Sequence, residues 1–168
     1  MLIAYVIIVL IAIQRLAEVV YADRNTRALL ARGAVEIGRK HYPLIVLLHA
    51  AWLVAIVVFL PRPVIISWPL LVLFVAFQLL RVWVLVALGP YWTTRIISLE
   101  GAPLVTSGPF RYLRHPNYAV VVGEIAALPL VFGEAWVAII FSVLNAAVLF
   151  WRIWVEEKAL APRRSPSA

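Results

Sequence analysis

Apolar residues run along this chain in long blocks, and most polar residues fall between the blocks. A helix needs roughly 20 residues to cross a hydrocarbon core about 30 Å thick, and that length divides the sequence into five segments. The first runs from Leu2 to Tyr21, the second from Tyr42 to Leu60 and the third from Pro69 to Leu88, where Gly89-Pro90 stops it. The fourth, Tyr118 to Phe132, is short and contains Glu124 and Pro129. The fifth spans Ala135 to Trp154. Only Gly133 and Glu134 separate the last two, which predicts a tight helical hairpin whose complete passage through a bilayer is left open.

The intervening segments differ in character. Residues 23–41 contain helix formers and charges broken at Gly33, the pattern of an amphipathic connection lying at an interface. Residues 89–117 are rich in Gly, Pro, Thr, Ser and aromatics and show no helical periodicity. A loop of that length is more often functional than merely connecting. Its Tyr91, Trp92, Ile96, Ile97, Phe110 and Tyr112 predict an ordered structure.

Composition sharpens this into a fold class. Hydrophobic residues make up 65% of the 168 and charged ones 14%, against about 45–50% and about 25% in soluble domains. The expectation is an all-α integral membrane protein with five transmembrane helices and an ordered cytoplasmic loop covering the site. It forms one domain over residues 1–160, with a disordered tail at 161–168. No internal repeat is visible. The first segment lacks a basic leader and a small-residue cleavage pattern, and reads as a retained helix. The net charge of +7 falls at segment ends, not in one patch interleaved with stacking aromatics, so nucleic acid is not an expected partner. Arg24, Arg27, Arg32, Arg39, Lys40, Arg95, Arg111, Arg114, Lys158, Arg163 and Arg164 share one side, against Arg62 and Glu134 on the other. That bias puts the N-terminus outside and the C-terminus in the cytoplasm.

Two motifs stand out against this background. Arg114-His115-Pro116-Asn117-Tyr118 opens the fourth segment, and Arg152-x-x-x-Glu156-Glu157 closes the fifth. Pro116 suits the first turn of a helix, whose N-terminal N–H groups and dipole attract anionic groups. The same residues also suit a plain interfacial anchor. Arg152 and Glu156, four apart, share a helix face, and taken alone read first as a solvated helix end with a salt bridge and second as a site. Deeper in the segments lie Arg15, Glu18, Gln78, Arg81 and Glu124. Intramembrane ionisable groups mark function or pair with each other, Arg81 with Glu124 or Glu18 for instance. Glu124 and Asn117, seven apart, fall on the face expected to line a cavity. His41 and His49 read as interface and packing residues. There are no cysteines, and no Gly-x-Gly-x-x-Gly, His-Glu-x-x-His, Gly-x-Ser-x-Gly or P-loop, so no metal site is expected.

The stretch Leu104-Val-Thr-Ser-Gly108-Pro-Phe-Arg-Tyr112-Leu-Arg-His115-Pro116-Asn-Tyr118, followed by Arg152-x-x-x-Glu156-Glu157, resembles the integral-membrane methyltransferases of the isoprenylcysteine carboxyl methyltransferase family. The resemblance covers residues from about 78 to 160. Arg81-Val-Trp83, Leu88-Gly89-x-x-Trp92 and Glu124 look like a bacterial branch that includes alkylpyrone O-methyltransferases. It implies S-adenosylmethionine as cofactor, held at the cytoplasmic face by Gly108, Tyr112, His115, Pro116, Tyr118 and Glu157. Arg152 and Glu156 would sit at the reacting centre. Arg81, Trp83, Trp92 and Glu124 are expected toward a lipophilic acceptor arriving from the bilayer, and nothing requires that acceptor to be a prenylated protein. Sterol reductases that use NADPH carry a similar Arg-His-Pro-Asn-Tyr motif but are much longer. A non-catalytic lipid-binding role is the third reading.

Overall fold

A computed structural model describes residues 1–39, 42–102 and 104–164, with side chains as far as Lys158. Lys40, His41, the side chains of Arg163 and Arg164, and the last four residues of the expected tail lie outside the described residues. Five helices follow in order: α1 (Leu2–Ala31), α2 (Tyr42–Phe59), α3 (Trp68–Leu88), α4 (Pro116–Val131) and α5 (Ala135–Arg164). All but α4 are long and apolar enough to cross a membrane, and the chain is an integral membrane protein. Helix α4, at 16 residues, reaches only about 24 Å at 1.5 Å per residue. Connections at one end of the bundle are short; those at the other, residues 32–41 and 89–115, are long, and α5 ends beside them.

Helix α1 corrects one expectation. It does not stop at Tyr21 and give way to an interfacial connection, but runs unbroken for 30 residues. Nothing between Ala22 and Ala31 breaks a helix, and Asp23 pairs with Arg27 one turn on, 2.5 Å apart. Ala22, Asn25, Thr26 and Leu29 are buried on one face of this extension. Gly33, at φ +89°, ends it. Helix α5 likewise continues past Trp154 to Arg164.

The all-α expectation holds apart from one short strand pair among the described residues. Two three-residue strands, β1 (Val35–Ile37) and β2 (Ile96–Ser98), pair antiparallel with Glu36 opposite Ile97. They tie the two long connections together. Arg95 reinforces the tie, with Nη1 3.0 Å from a Glu36 carboxylate oxygen and its guanidinium 4.6 Å above the Tyr42 ring.

Packing between helices rests on close approach. Gly123 of α4 faces the Phe77 ring of α3, where an added Cβ would fall 2.2 Å from a ring carbon. In the last turn of α4, Pro129 offers no N–H to the Ile125 carbonyl. Trp52 of α2 supplies the missing donor, its Nε1–H reaching that oxygen at 3.3 Å. The main core, built on Ala4, Ile8, Trp52, Ile56, Phe74, Ile125 and Leu128, fills the short-connection half. A smaller cluster of Ala22, Val84 and Trp92 sits toward the long connections. Outward faces stay apolar, as at Leu16, Val58, Val72, Leu79 and Phe150, which suits a helix surface meeting lipid.

Candidate functional site

The two sequence motifs meet where α4 begins and α5 ends. Pro116 occupies the first helical position of α4, and His115 precedes it as the cap residue. Helix α5 packs along α4, and residues 152–157 come level with that start. Arg152 is buried, and its Nε–H donates to the Tyr118 hydroxyl at 2.9 Å. One Nη2–H donates to the Thr94 carbonyl at 2.7 Å. The Tyr118 hydroxyl donates in turn to a Glu156 carboxylate oxygen. Arg152 and Glu156 therefore do not form the simple helix pair their spacing allows, because Tyr118 stands between them. His115 Nε2 lies 2.7 Å from Glu157 Oε1, and its ring stacks on Tyr118 with centroids 5.3 Å apart. Arg114, exposed, reaches the other Glu157 oxygen at 4.0 Å.

This cluster borders two cavities. One, of about 170 Å³, is lined by Tyr91, Arg95, Arg114, His115, Pro116 and Glu156 among others, at the long-connection end. The second, about 350 Å³ and largely apolar, lies among α1, α2 and α5, with Leu16, Val19, Val46, Leu53 and Val148 in its lining. Trp92, Thr93, Asn117, Tyr118 and Arg152 line both, and so form the wall between them. Three buried atoms in that wall have no hydrogen-bond partner among the described residues: Trp92 Nε1, Asn117 Oδ1 and Arg152 Nη1.

The loop that carries Trp92 is held from below. The Asn25 amide of α1 donates to the Trp92 carbonyl at 2.9 Å and to the Gly89 carbonyl at 3.2 Å, and the Tyr21 hydroxyl also donates to Gly89. Gly108 takes φ +60°, and an added Cβ would lie 3.2 Å from both Ala87 Cβ and Trp83 Nε1. The 3₁₀ turn Gly108–Arg111 thus rests directly on α3.

The other residues singled out in the sequence are distributed differently. Tyr112 is 73% exposed and turned out of the cluster. Gly108 and Trp83 line neither cavity and pack on each other. Arg81 lines the apolar cavity, but Glu124 does not: expected beside Asn117 on the lining face, it is turned instead toward Arg81. Arg81 Nε–H donates to Glu124 Oε1 at 2.8 Å and Nη1–H to Glu18 at 3.0 Å, while Nη2 also meets Glu124. Arg15 pairs with both carboxylates, and Gln14 and Gln78 close the network. This is the inter-helix pairing that the sequence offered as the structural alternative.

Some contributors left no trace in the sequence. The Thr94 carbonyl that orients Arg152 is a backbone atom that any residue offers. Asn25 lay in a segment read as a connection. Asn145, buried and lining the apolar cavity, is a polar residue in an apolar helix, which is the signal that would have found it.

Known proteins are similar to the chain over most of its length. A protein of Bacillus subtilis (strain 168), described as "Uncharacterized protein YpbQ", is 36% identical over 93% of this chain and 95% of its own length. An uncharacterized protein of Haemophilus influenzae is 26% identical over 82% of this chain and 83% of its own. No solved structure matches the chain. Residues 70–162, which hold both motifs and the wall they build, match the isoprenylcysteine carboxyl methyltransferase (ICMT) family, and the chain belongs to that family of membrane methyltransferases.

Proposed function

We propose that the chain transfers a methyl group from S-adenosylmethionine to the acidic oxygen of a lipophilic acceptor, a carboxylate or acidic hydroxyl of an isoprenoid or polyketide-type lipid. The observation that carries this reading is the shared wall: a cavity edged by charged side chains and an apolar one back onto the same five side chains. The donor set of the first cavity fits the cofactor. Glu156, in that cavity's lining, suits the sulfonium or the ammonium, Glu157 adds negative charge from behind His115, and Asn117 and Arg152 in the same lining each keep an unpartnered polar atom. Glu157 reaches it through His115; His115, Pro116 and Tyr118 would hold it.

Held there by His115, Pro116 and Tyr118, S-adenosylmethionine would supply an electrophilic methyl group on a cationic sulfur that would leave as the neutral thioether. An ionised oxygen needs no base, so positioning dominates. Arg152 is suited to aim it. Its guanidinium is fixed by Thr94 at Nη2 and Tyr118 at Nε, with Nη1 left without a partner among the described residues. Tyr118 is a brace: its hydroxyl accepts from Arg152 and donates to Glu156. Trp92 and Thr93 close the wall and exclude water from the transfer path. The positive-inside bias puts this end in the cytoplasm, with the acceptor entering laterally from the lipid.

Incubating the purified protein with labelled S-adenosylmethionine and a total lipid extract of a bacterial host tests the reading, with mass spectrometry of the labelled product. S-adenosylhomocysteine is expected to raise the melting temperature and NADPH to leave it unchanged. Failure to bind S-adenosylhomocysteine in both detergent and lipid would overturn it.

A further inference from the structure

Asn145 of α5 is 3% exposed, and its side-chain amide makes no hydrogen bond among the described residues. Its polar atoms are not sealed in protein as the unpartnered ones of Glu134 are; the surface they keep opens on the apolar cavity that Asn145 lines. An amide in an apolar helix is unfavourable unless something meets it, and native structures rarely leave one so. His49 of α2 lines the same cavity. Its Nδ1 lies 2.9 Å from the Ile45 carbonyl one turn back. A carbonyl only accepts, so Nδ1 carries the proton. In the neutral ring the lone pair is then at Nε2, which has no partner among the described residues.

The two side chains stand at about one height. Thr94 ties the near ends of their helices together: its hydroxyl donates to the Tyr42 hydroxyl at 3.2 Å, and its carbonyl takes an N–H of Arg152 at 2.7 Å. His49 follows Tyr42 by seven residues along α2, and Asn145 precedes Arg152 by seven along α5. Two helical turns, about 10 Å at 1.5 Å per residue, thus separate each from the level of Thr94. Asn145, Val148, Leu149 and Arg152 all line the cavity, one continuous face of α5 from the amide to the wall.

We infer that Asn145 and His49 form a subsite for a hydroxyl group carried partway along a lipophilic ligand, two helical turns from the wall. A hydroxyl both donates and accepts, and the pair matches it: its O–H meets His49 Nε2, and its oxygen meets the Asn145 N–H. A ketone meets only the amide and leaves the imidazole bare. A methylene meets neither. The inference rests on the methyl-transfer reading for which end of the ligand reaches the wall. It deepens that reading, because it selects an oxygenated polyketide-type chain over an all-hydrocarbon isoprenoid. An extended chain advances about 1.2 Å per bond, so the hydroxyl falls about eight bonds from the oxygen at the wall. His49 and Asn145 become specificity-determining residues that touch no reacting atom.

The test places the protein in lipid nanodiscs with S-adenosylhomocysteine at mildly alkaline pH. Binding of dodecanoate and of its 3-hydroxy, 8-hydroxy and 8-oxo derivatives is measured against empty nanodiscs. The head is the same throughout, so differences report the chain alone. Wild type is expected to bind 8-hydroxydodecanoate about tenfold more tightly than dodecanoate or 3-hydroxydodecanoate, with 8-oxododecanoate between them. Asn145→Leu and His49→Phe should each bring the 8-hydroxy and parent acids within about threefold of each other, with S-adenosylhomocysteine binding unchanged. A wild type without the preference, a preference indifferent to hydroxyl position, or variants that keep the full ratio overturn the subsite. If neither variant folds, ¹⁵N-histidine spectra of the wild type decide, since the chain has only three histidines. An imidazole nitrogen that moves with 8-hydroxydodecanoate and not with dodecanoate supports the subsite, and the absence of one overturns it. A wild type that shows the preference without binding S-adenosylhomocysteine keeps the subsite and removes the methyl-transfer reading; the converse result removes the subsite alone.

Discussion

Two polar clusters sit within the same apolar bundle, and they differ in what they leave unsatisfied. The deep cluster of Arg15, Glu18, Arg81 and Glu124 has two positive and two negative side chains in mutual contact, with Gln14 and Gln78 filling the gaps. Of its buried polar atoms only Arg15 Nε lacks a partner among the described residues. The cluster of His115, Tyr118, Arg152, Glu156 and Glu157 is also well connected, yet Arg152, Trp92 and Asn117, which line both cavities, each keep a buried polar atom without a partner among the described residues. Residue type does not separate the two, since both are arginines and glutamates in apolar helices. Satisfaction does. A closed network holds helices together; an incomplete one beside a cavity waits for a ligand.

The comparison breaks most sharply under substitution. Arg81→Leu strands Glu124, 1% exposed, without its main partner, and should destabilise the fold by on the order of 3–5 kcal/mol, read as a lowered melting temperature in detergent. Replacing both Arg81 and Glu124 with Leu should cost less than either alone, and a double variant no better than the singles would refute a structural role. Arg152→Ala is expected to lower methyl transfer by about 10²–10³-fold with a smaller change in melting temperature, and Arg152→Lys, which keeps charge but loses the planar fork, should restore little. An Arg152→Ala protein at full turnover would remove Arg152 from the chemistry. Glu157→Gln should weaken S-adenosylhomocysteine binding by about tenfold, measured by calorimetry, while leaving the deep cluster and the fold unaffected.

Glu134 marks the edge of the rule. In the turn between α4 and α5 its carboxylate is buried with neither oxygen partnered among the described residues, and it lines neither cavity. Burial pushes its carboxyl up to about 7. A raised carboxyl is neutral in both states at low pH, so its cost appears as pH rises from about 4.5 through about 7. The melting temperature of the wild type should fall over that window more than that of Glu134→Gln, a modest difference that leaves methyl transfer unchanged. Identical pH profiles would show that the turn does not desolvate the group.

Much of this was legible in the residues. Long apolar blocks gave five helices close to their observed cores, and the family resemblance carried by the two motifs implied that His115 and Glu157 share one site. The extension of α1 was not legible, because helix formers such as Ala28 and Leu29 beside Asp23 and Arg27 suit an interfacial stretch as well as a continued helix. The strand pair escaped because three residues, Val35–Ile37, carry too little alternation to count. Nor could sequence tell Arg81 from Arg152. Hydrogen-bond satisfaction depends on which atoms of distant residues meet, such as the Thr94 carbonyl or the Asn25 amide, and no local pattern encodes it. Tyr112 shows the reverse limit: a residue inside the matching motif that faces outward.

The bond from Trp52 to the Ile125 carbonyl has a consequence for height within the bundle. It fixes how deep α2 sits relative to α4, because only the carbonyl freed by Pro129 can take that indole. Leu53, the next residue, and His49, three before it, line the apolar cavity. A proline on one helix thus sets the height at which another holds two cavity-lining side chains, and changing it would move both.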